Sequence, residues 1–357
     1  AVPDPSKDGL VKLVWEGDNQ PASIEGGKIK ALFDTRDELV DKFRTRLDEM
    51  IKGLAAEINK IHISGYGVRD EIQRKFFING GDPDSDVIDM SNIAFNPELN
   101  EYDNIAAAIT PPPYNAEDNK IALKILELRS GKVFGEEAYD SAGGKYNFDE
   151  YYRNIILDLG KAGMEAAINA EAQSSMVKEL ENKKGAMMGV SMDEEMGNLI
   201  KFEHSYNASA RMVNVMVGIK CMRTTFGSLN IVNSGLFASR RALDVTGHNI
   251  ANVNTEGYSR QVLMQKASMP LWGDPKGVIG TGVDTYNILR IRNEYLDKKY
   301  WNQNRAVGEW KIKQQNLENM ESIFNEPTET GIRKVIDEFF IALDELSKKS
   351  GDSTRRI

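Results

Sequence analysis

The forty residues from Met222 to Gln261, MRTTFGSLNIVNSGLFASRRALDVTGHNIANVNTEGYSRQ, decide how this chain folds. Apolar residues recur in this stretch at the seven-residue spacing of a helix that packs along one narrow stripe. The stripe comprises Leu229, Val232, Leu236, Leu243, Ile250 and Val253, with the small or polar Ser239 and Thr246 in register. The stretch therefore predicts a long helix with a single apolar seam.

Three asparagines stand at the end of this predicted helix, Asn249, Asn252 and Asn254. Asparagine side chains can bond neighbouring backbone and tolerate left-handed conformations. Gly257 permits a sharp turn, and Tyr258 follows it directly. We predict that this motif ends the helix and fixes the direction in which the chain leaves it.

A second seam precedes the first along the chain. Ser191 and Glu194 have the spacing of a capping box, in which the Ser191 hydroxyl bonds the Glu194 amide and the Glu194 carboxylate bonds the Ser191 amide. A helix is therefore predicted from Ser191, and its stripe comprises Met192, Met196, Leu199, Tyr206, Ala210 and Val213. Since each seam is too narrow to be stable alone, the two helices should pair as an antiparallel hairpin around the joint at 217–221.

The rest of the chain also reads as mainly helical. Helical spacing runs from Leu39 until Ser64-Gly65, and an irregular insert with one short helix near 121–128 follows. Further helices are predicted from Phe148, from Leu296 to Phe324, and from Ile332, while Leu10–Trp15 has the length and composition of a strand. The predicted fold is mainly α, with long antiparallel helices forming a rod-like bundle, a small β-containing flank, and the coiled-coil hairpin.

Composition excludes several partners. The 357 residues carry a net charge of −9, which disfavours nucleic acid and anionic membrane, because binding to both depends on clustered Lys and Arg. No run approaches the roughly 20 apolar residues that span a bilayer, and Ala1–Leu10 lacks the pattern of a secretory signal. The single cysteine, Cys221, leaves no internal disulfide. Stability is expected to come from packing.

The sequence lacks the residue patterns of the common catalytic and metal-binding sites. His62, His204 and His248 are scattered, and the alternating Asp82, Asp84 and Asp86 lack the glycine and the glutamate of a calcium loop. We therefore predict no metal, no cofactor and no catalytic residue. The adjacent Glu194 and Glu195 are expected in capping and on a solvated surface. Four methionines at helical spacing are expected in seam and core, with an adaptable binding surface as the alternative. These methionines are Met188, Met192, Met196 and Met212.

A family resemblance rests on two dense motifs. Gly247–Gln261, GHNIANVNTEGYSRQ, closely resembles the amino-terminal motif shared by flagellar rod, hook and hook-associated proteins. Met188–Arg211, MGVSMDEEMGNLIKFEHSYNASAR, looks like the carboxy-terminal motif of the hook-associated protein 1 family. Other stretches similar to the body domain of that family are Gly26–Asp37, Ser64–Gly67 and Asn147–Tyr152.

The resemblance implies an inverted order of segments. The family's carboxy-terminal half would lie at 1–221 and its amino-terminal part at 222–357, without the outer central domains. A designed circular permutation explains this order, as would separate segments written in an unnatural order. The implied domains are a body domain at 1–187, paired terminal helices at 188–255, and the remainder of the body domain at 256–357.

The resemblance also implies a function. The chain is expected to be a non-enzymatic structural subunit of the bacterial flagellum that joins hook to filament by self-assembly. Its implied partners are copies of itself, the hook protein, a second hook-associated protein and a flagellar export chaperone. Its implied location is extracellular, after export by the flagellar type III apparatus without a cleaved signal. Alternatives are a hook or rod subunit and a helical adaptor or chaperone without flagellar connection. Assembly is assigned to the seam residues Leu199, Tyr206, Leu229, Leu236, Leu243 and Ile250 with the turn residues Asn252, Asn254 and Gly257. The helix-end motif comprises Asn249, Asn252, Asn254, Gly257 and Tyr258.

Overall fold

The computed structural model describes most of the chain. The described residues are 2–3, 10–17, 20–68, 71–83, 85–113, 117–140, 143–218, 225–272, 277–324 and 331–348. Their helices are α1 (Lys28–Asp34), α2 (Val40–His62), α3 (Lys120–Glu127), α4 (Phe148–Met188), α5 (Met192–Gly218), α6 (Thr225–Ala251), α7 (Glu294–Phe324) and α8 (Ile332–Lys348). Their strands are β1 (Val2–Pro3), β2 (Val11–Lys12), β3 (Phe77–Asn79), β4 (Ile93–Phe95), β5 (Gln261–Ala267), β6 (Leu271–Trp272), β7 (Val278–Ile279) and β8 (Val283–Arg290).

The mainly α prediction is confirmed. Helix α4 alone has 41 residues and α7 has 31. The described strands form two-stranded antiparallel pairs, β1 with β2, β3 with β4, β5 with β8, and β6 with β7. No described helix combines the length and the apolar character that crossing a bilayer requires.

The first long helix begins eleven residues before the predicted start at Leu39. Gly27 adopts a left-handed φ of 89°, and the helix then runs from Lys28 through a π-helical turn at Thr35–Leu39 into α2. The buried positions Ala31, Thr35 and Phe43 recur at multiples of four. A π-helical turn is wider than an α-helical turn and keeps residues at this spacing on one face, whereas the α-helical period of 3.6 residues does not. The α-helical pattern in the sequence therefore does not indicate the first turns of this helix.

The chain divides into two compact units. The first comprises Ala1–Ala172 and Arg305–Ile357, and the second comprises Gln173–Asn304. The second unit thus contains the pair of α5 and α6 together with residues 173–187 and 256–304. The prediction placed these two flanking ranges in the body segments 1–187 and 256–357. The partition into segments 1–187, 188–255 and 256–357 was drawn on family motifs, and it stays a prediction.

Two hydrophobic clusters hold the first unit together. One joins α2, α4 and α7 through side chains such as Met50, Tyr151 and Leu317. The other joins α2, α3, α8 and the irregular insert through side chains such as Ile58, Ile121 and Phe340. The insert thus contributes to the core, although its sequence breaks every long element.

The last turns of α2 hold the insert by polar contacts. Asn59 accepts hydrogen bonds from the backbone N–H groups of Phe76 and Phe77 and donates to the Phe77 carbonyl. His62 is completely buried, with Nδ1 2.7 Å from the Arg74 carbonyl and Nε2 2.9 Å from the Ala106 amide nitrogen. Burial lowers the pKa of the His62 imidazole to about 4. The ring is therefore neutral, with Nδ1–H donating and Nε2 accepting.

The second unit contains the predicted antiparallel hairpin of α5 and α6. Ser205 lies opposite Ser239, with 3.0 Å between the hydroxyl oxygens, and Glu195 lies opposite Asn249. As α5 advances by ten residues α6 recedes by ten, so the two helices run in opposite directions. The connection at 219–224 lies outside the described residues and includes most of the predicted joint.

Candidate functional site

Small side chains form the buried seam of the α5–α6 pair. On α6 the buried positions are Ala238, Ser239, Ala242, Val245, Thr246 and Asn249. Gly235 faces Ser209, since a Cβ added to this glycine would lie 3.7 Å from the Ser209 hydroxyl. The Ser239 hydroxyl also bonds the Gly235 carbonyl within its own helix. The helix backbones can approach closely because nothing large lies between them.

The predicted leucine stripe occupies another side of α6. Leu229, Leu236, Leu243 and Ile250 are half-buried. At about 100° per residue, these side chains lie on average about a quarter turn from Ser239, Ala242 and Thr246, and Leu243 and Ile250 lie about 40° from Ser239 and Thr246, respectively. On α5, Leu199 and Tyr206 are likewise half-buried. The stripe is thus distinct from the buried seam, and its role in assembly stays a prediction.

The ribbon of β5 and β8 packs on the side of α6 opposite the leucines. The Val283 amide donates to the Ser234 hydroxyl at 3.1 Å, and Arg241 donates to the Thr285 carbonyl at 3.4 Å. Ser234 and Arg241 project about half a turn away from Leu243 and Ile250. The leucines therefore lie on a side of the pair that the ribbon leaves uncovered.

Exposed methionines of α5 extend this uncovered side. Met192 and Met196 are 41% and 45% exposed and project on the same side of the antiparallel pair as Leu199. Met188 is buried, but the expectation that Met192, Met196 and Met212 fill seam and core is wrong. We call the resulting surface the open face. Its residues are Met192, Met196, Leu199, Leu229, Leu236, Leu243 and Ile250.

At the other end of the seam, Asn249 is the centre of a buried polar cluster. Its side-chain nitrogen donates to the Glu195 carboxylate at 3.2 Å and to the Gln261 carbonyl at 2.9 Å. Its side-chain oxygen accepts from the Gln261 amide at 2.9 Å and from the Tyr258 hydroxyl at 2.7 Å. All four hydrogen-bonding positions of the carboxamide are used. The Asn249 carboxamide thus pairs with the N–H and C=O groups of Gln261 in the way that the backbone of a neighbouring β-strand would.

Glu195 and Arg260 complete this arrangement, which we call the asparagine cluster: Glu195, Asn249, Tyr258, Arg260 and Gln261. Arg260 Nε donates to Glu195 at 2.7 Å, and its Nη1 donates to Glu194 at 2.8 Å. Glu195 is only 2% exposed, so the expectation of a solvated Glu195 is wrong. Its burial is stable because Arg260 and Asn249 supply charge-assisted donors.

The Tyr258 hydroxyl connects the cluster to the surface. Because it donates to Asn249, it accepts from Nδ1 of His248, which lies 2.9 Å away. Burial raises the pKa of the Tyr258 phenol, and this effect outweighs the positive charge of Arg290, which lowers the pKa, while the negative charge of Glu195 adds to the rise. The phenol is therefore protonated at neutral pH and available as a donor.

The other motif residues shape the turn after α6. Asn252 donates to the His248 carbonyl at 2.9 Å and accepts from the Thr255 hydroxyl at 3.2 Å. Gly257 has a left-handed φ of 75°, and Asn254 is exposed. The structure thus brings Asn249 and Tyr258 together, and places Asn252 and Gly257 in the turn that aims the chain into β5.

The start of α5 shows part of the predicted capping box. The Glu194 amide lies 3.5 Å from the Ser191 hydroxyl, a long contact, and the Ser191 carbonyl accepts from the Glu195 amide at 3.0 Å. The Glu194 carboxylate bonds Arg260, which comes from beyond α6. The Glu194 carboxylate thus bonds a distant arginine and not the Ser191 amide that the capping-box pattern predicted.

Sequence reasoning overlooked Glu195 and Arg260 as a pair. A signal was available, since Glu195 stands four residues before Leu199 and so lies beside the predicted apolar stripe of α5. A charged residue on an apolar seam requires a partner, but the sequence does not indicate which of many cations it is.

The grooves beside α6 show no catalytic arrangement within the described residues. One groove of about 530 Å³ lies between α6 and the ribbon and is lined by Arg241, Asp244, His248, Tyr286 and Ile288, among others. Arg241 is bonded to Thr285 and His248 to Tyr258. Across the described part of the chain, no three His, Cys, Asp or Glu side chains converge to hold a metal ion.

Comparison with known proteins supports the family resemblance in two separate segments. Residues 1–77 match the flagellar hook-associated protein FlgK helical domain, and residues 229–258 match the flagella basal body rod protein family. The second segment contains most of α6, Asn249 and the turn up to Tyr258. No solved structure matches the chain.

Several similar proteins carry the name flagellar hook-associated protein 1. The Bacillus subtilis protein is 34% identical over 141 residues, which cover 38% of this chain and 28% of that protein. The proteins of Escherichia coli and Salmonella typhimurium are 28% and 27% identical over 96 residues, which cover 27% of this chain and 16% of each relative. The chain thus spans less than a third of the length of these relatives. The resemblance to hook-associated protein 1 predicted from the sequence is confirmed, at modest identity.

Proposed function

We propose that this chain is a non-enzymatic structural subunit of the bacterial flagellum that joins hook to filament through helical packing. The observation that carries the proposal is the open face, on a helix pair whose second helix, α6, lies largely within the segment that matches the flagella basal body rod protein family. A contiguous exposed apolar surface marks an interaction site. The similarity to proteins named flagellar hook-associated protein 1 supports the junction in particular.

In this proposal the helix pair is the assembly domain. The open face contacts helices of neighbouring copies, and the segments at 1–187 and 256–357 act as the body. Further proposed partners are the hook protein, a second hook-associated protein and an export chaperone. The protein acts outside the cell, on the flagellum, after export by the flagellar type III apparatus.

We also propose that the segments stand in an order inverted relative to the family. The antiparallel pairing of α5 and α6 supports this, because an end of α5 and a start of α6 that lie together can be joined with little change elsewhere. Ser205 and Ser239, on either side of the connection, are within hydrogen-bonding distance.

The experiment places charge on the open face. Leu243→Asp with Ile250→Asp should abolish incorporation into the junction, because two carboxylates would be desolvated at a subunit contact. The matched control is Asn230→Asp with Phe237→Asp, which adds two aspartates at the same spacing about half a turn around α6. Both positions are exposed, and incorporation should persist.

The measurement is swarming and filament attachment in a strain that lacks the junction protein, complemented with each variant in the natural order of segments. Circular dichroism first establishes that both variants keep their helix content. Unchanged attachment in the Leu243/Ile250 variant would refute the assignment of the open face.

A hook or rod subunit is the second candidate, because residues 229–258 match the basal body rod family. The same complementation separates the two functions. A junction protein predicts complete hooks without attached filaments, whereas a rod or hook subunit predicts loss of the hook itself. Motility that is unaffected by deletion would favour an adaptor without flagellar connection.

A further inference from the structure

We propose that the asparagine cluster is the register lock of the α5–α6 pair. The lock determines which residues of the two helices lie opposite each other. This inference goes beyond the proposed function, and its test reads the register within one chain, so it does not depend on assembly.

The buried seam by itself tolerates a shift along the helix axis. Its α6 positions are small, and a shift by one turn would place Gly235 or Ala242 opposite Ser205 in place of Ser239. Neither replacement introduces a bulky side chain. The Ser239 hydroxyl would keep its bond to the Gly235 carbonyl, at 2.9 Å in its own helix. The seam therefore supplies contact without a unique alignment.

The connection between the helices does not impose the alignment either. Six residues separate Gly218 from Thr225. At about 3.3 Å per extended residue they can span far more than the roughly 5.4 Å of one helical turn. A shift by one turn is within their reach.

The asparagine cluster does discriminate between alignments. Asn249 uses all four hydrogen-bonding positions, and its bond to Glu195 crosses between the helices. A shift of α6 by one turn would break that bond and the two bonds between Asn249 and the Gln261 backbone. Both Asn249 and Glu195 are almost fully buried, so the lost partners could not be replaced by water.

The cluster is also fixed to the surrounding frame. The Arg260 amide donates to the Met188 carbonyl at 3.0 Å, and the Arg260 carbonyl accepts from the Ile291 amide at 2.8 Å. The end of α4, the start of α5 and the approach to α7 therefore hold Arg260 in place. The register of α6 is set against this frame through Asn249 and Glu195.

The test uses cysteine pairs as register reporters, with Cys221→Ser to remove the native thiol. Ser205→Cys with Ser239→Cys reports the observed register, in which the hydroxyl oxygens lie 3.0 Å apart. Ser205→Cys with Gly235→Cys reports a register shifted by one turn. Intramolecular disulfide formation in a glutathione redox buffer is followed by peptide mapping at low protein concentration.

In Asn249→Ala, we expect the ratio of shifted to native cross-linking to rise by about tenfold or more, because buried groups lose their hydrogen bonds in the native register. The matched control is Asn252→Ala, from the same motif. Asn252 bonds His248 and Thr255, both of which lie on its own side of the pair. The ratio should not change in this control.

A second variant keeps the proposal testable without removing the Asn249 side chain. Glu195→Gln replaces one accepting oxygen by an NH2 group, which must face a donor of either Asn249 or Arg260, and should also raise the ratio. The proposal is overturned by an unchanged ratio in Asn249→Ala that keeps its helix content. If Asn249→Ala loses its helices, an unchanged ratio in Glu195→Gln overturns it.

Discussion

At the scale of single residues, two buried polar side chains use every hydrogen bond they can form, in different units. Asn249 pairs with the Gln261 backbone, and His62 bridges the Arg74 carbonyl and the Ala106 amide. Each is buried, and each joins segments far apart in sequence. Their cost of desolvation is offset only while the partners remain in place.

His62 makes the stability of the first unit sensitive to pH. Its pKa is about 4 in the fold, against about 6.5 in the unfolded chain. The folded state holds the neutral ring, so its stabilisation is fully present above pH 6.5. It is lost as the pH falls from 6.5 towards 4, because only the unfolded chain takes up the proton there. The loss approaches about 3 kcal/mol.

The measurement is denaturant unfolding between pH 7.5 and 4.5. In His62→Gln the free energy of unfolding should be lower at neutral pH and should fall less steeply as the pH decreases. The control is His204→Gln, at an exposed position on α5, which should keep the parent slope. Equal slopes in His62→Gln and the parent would contradict the role of His62.

At the scale of elements, helix spacing was predictable and helix pairing was only partly so. The long helices from Phe148 and Ser191 begin within a residue of their predicted starts. The observed seam of the α5–α6 pair differs from the predicted seam, because the sequence pattern selects the largest apolar residues. Close helix packing instead selects the smallest, here Gly235, Ser239 and Ala242.

The small-residue seam can be tested by enlarging it. Ala242→Leu should lower the free energy of unfolding by about 1–3 kcal/mol, since extra methyl groups would force apart two close helices. Arg240→Leu introduces the same residue at an exposed position two residues earlier and should have little effect. Thermal unfolding followed by circular dichroism measures both. Equal free energies of unfolding for the two variants would contradict the assignment of Ala242 to the buried seam.

At the scale of the whole molecule, the proposed inverted order of segments can be tested directly. The helical-domain family matches at 1–77 and the rod family at 229–258. A chain joined in the inverted order predicts one continuous polypeptide, and a peptide from limited proteolysis should contain Lys220, Cys221 and Met222 in sequence. Intact-mass measurement with peptide sequencing checks this. Two separate masses without a spanning peptide would show that the segments are not joined.

The sequence by itself determined the helical class, the turn after α6 and the family resemblance. These depend on local spacing and on dense motifs, which neighbouring residues specify without reference to distant ones. The tertiary structure alone decided that small residues form the α5–α6 seam, that the leucines lie on the open face, and that Glu195 is buried against Asn249 and Arg260. Burial and pairing depend on which distant surfaces meet, and a pattern along one helix carries no information about the shape and charge of its partner.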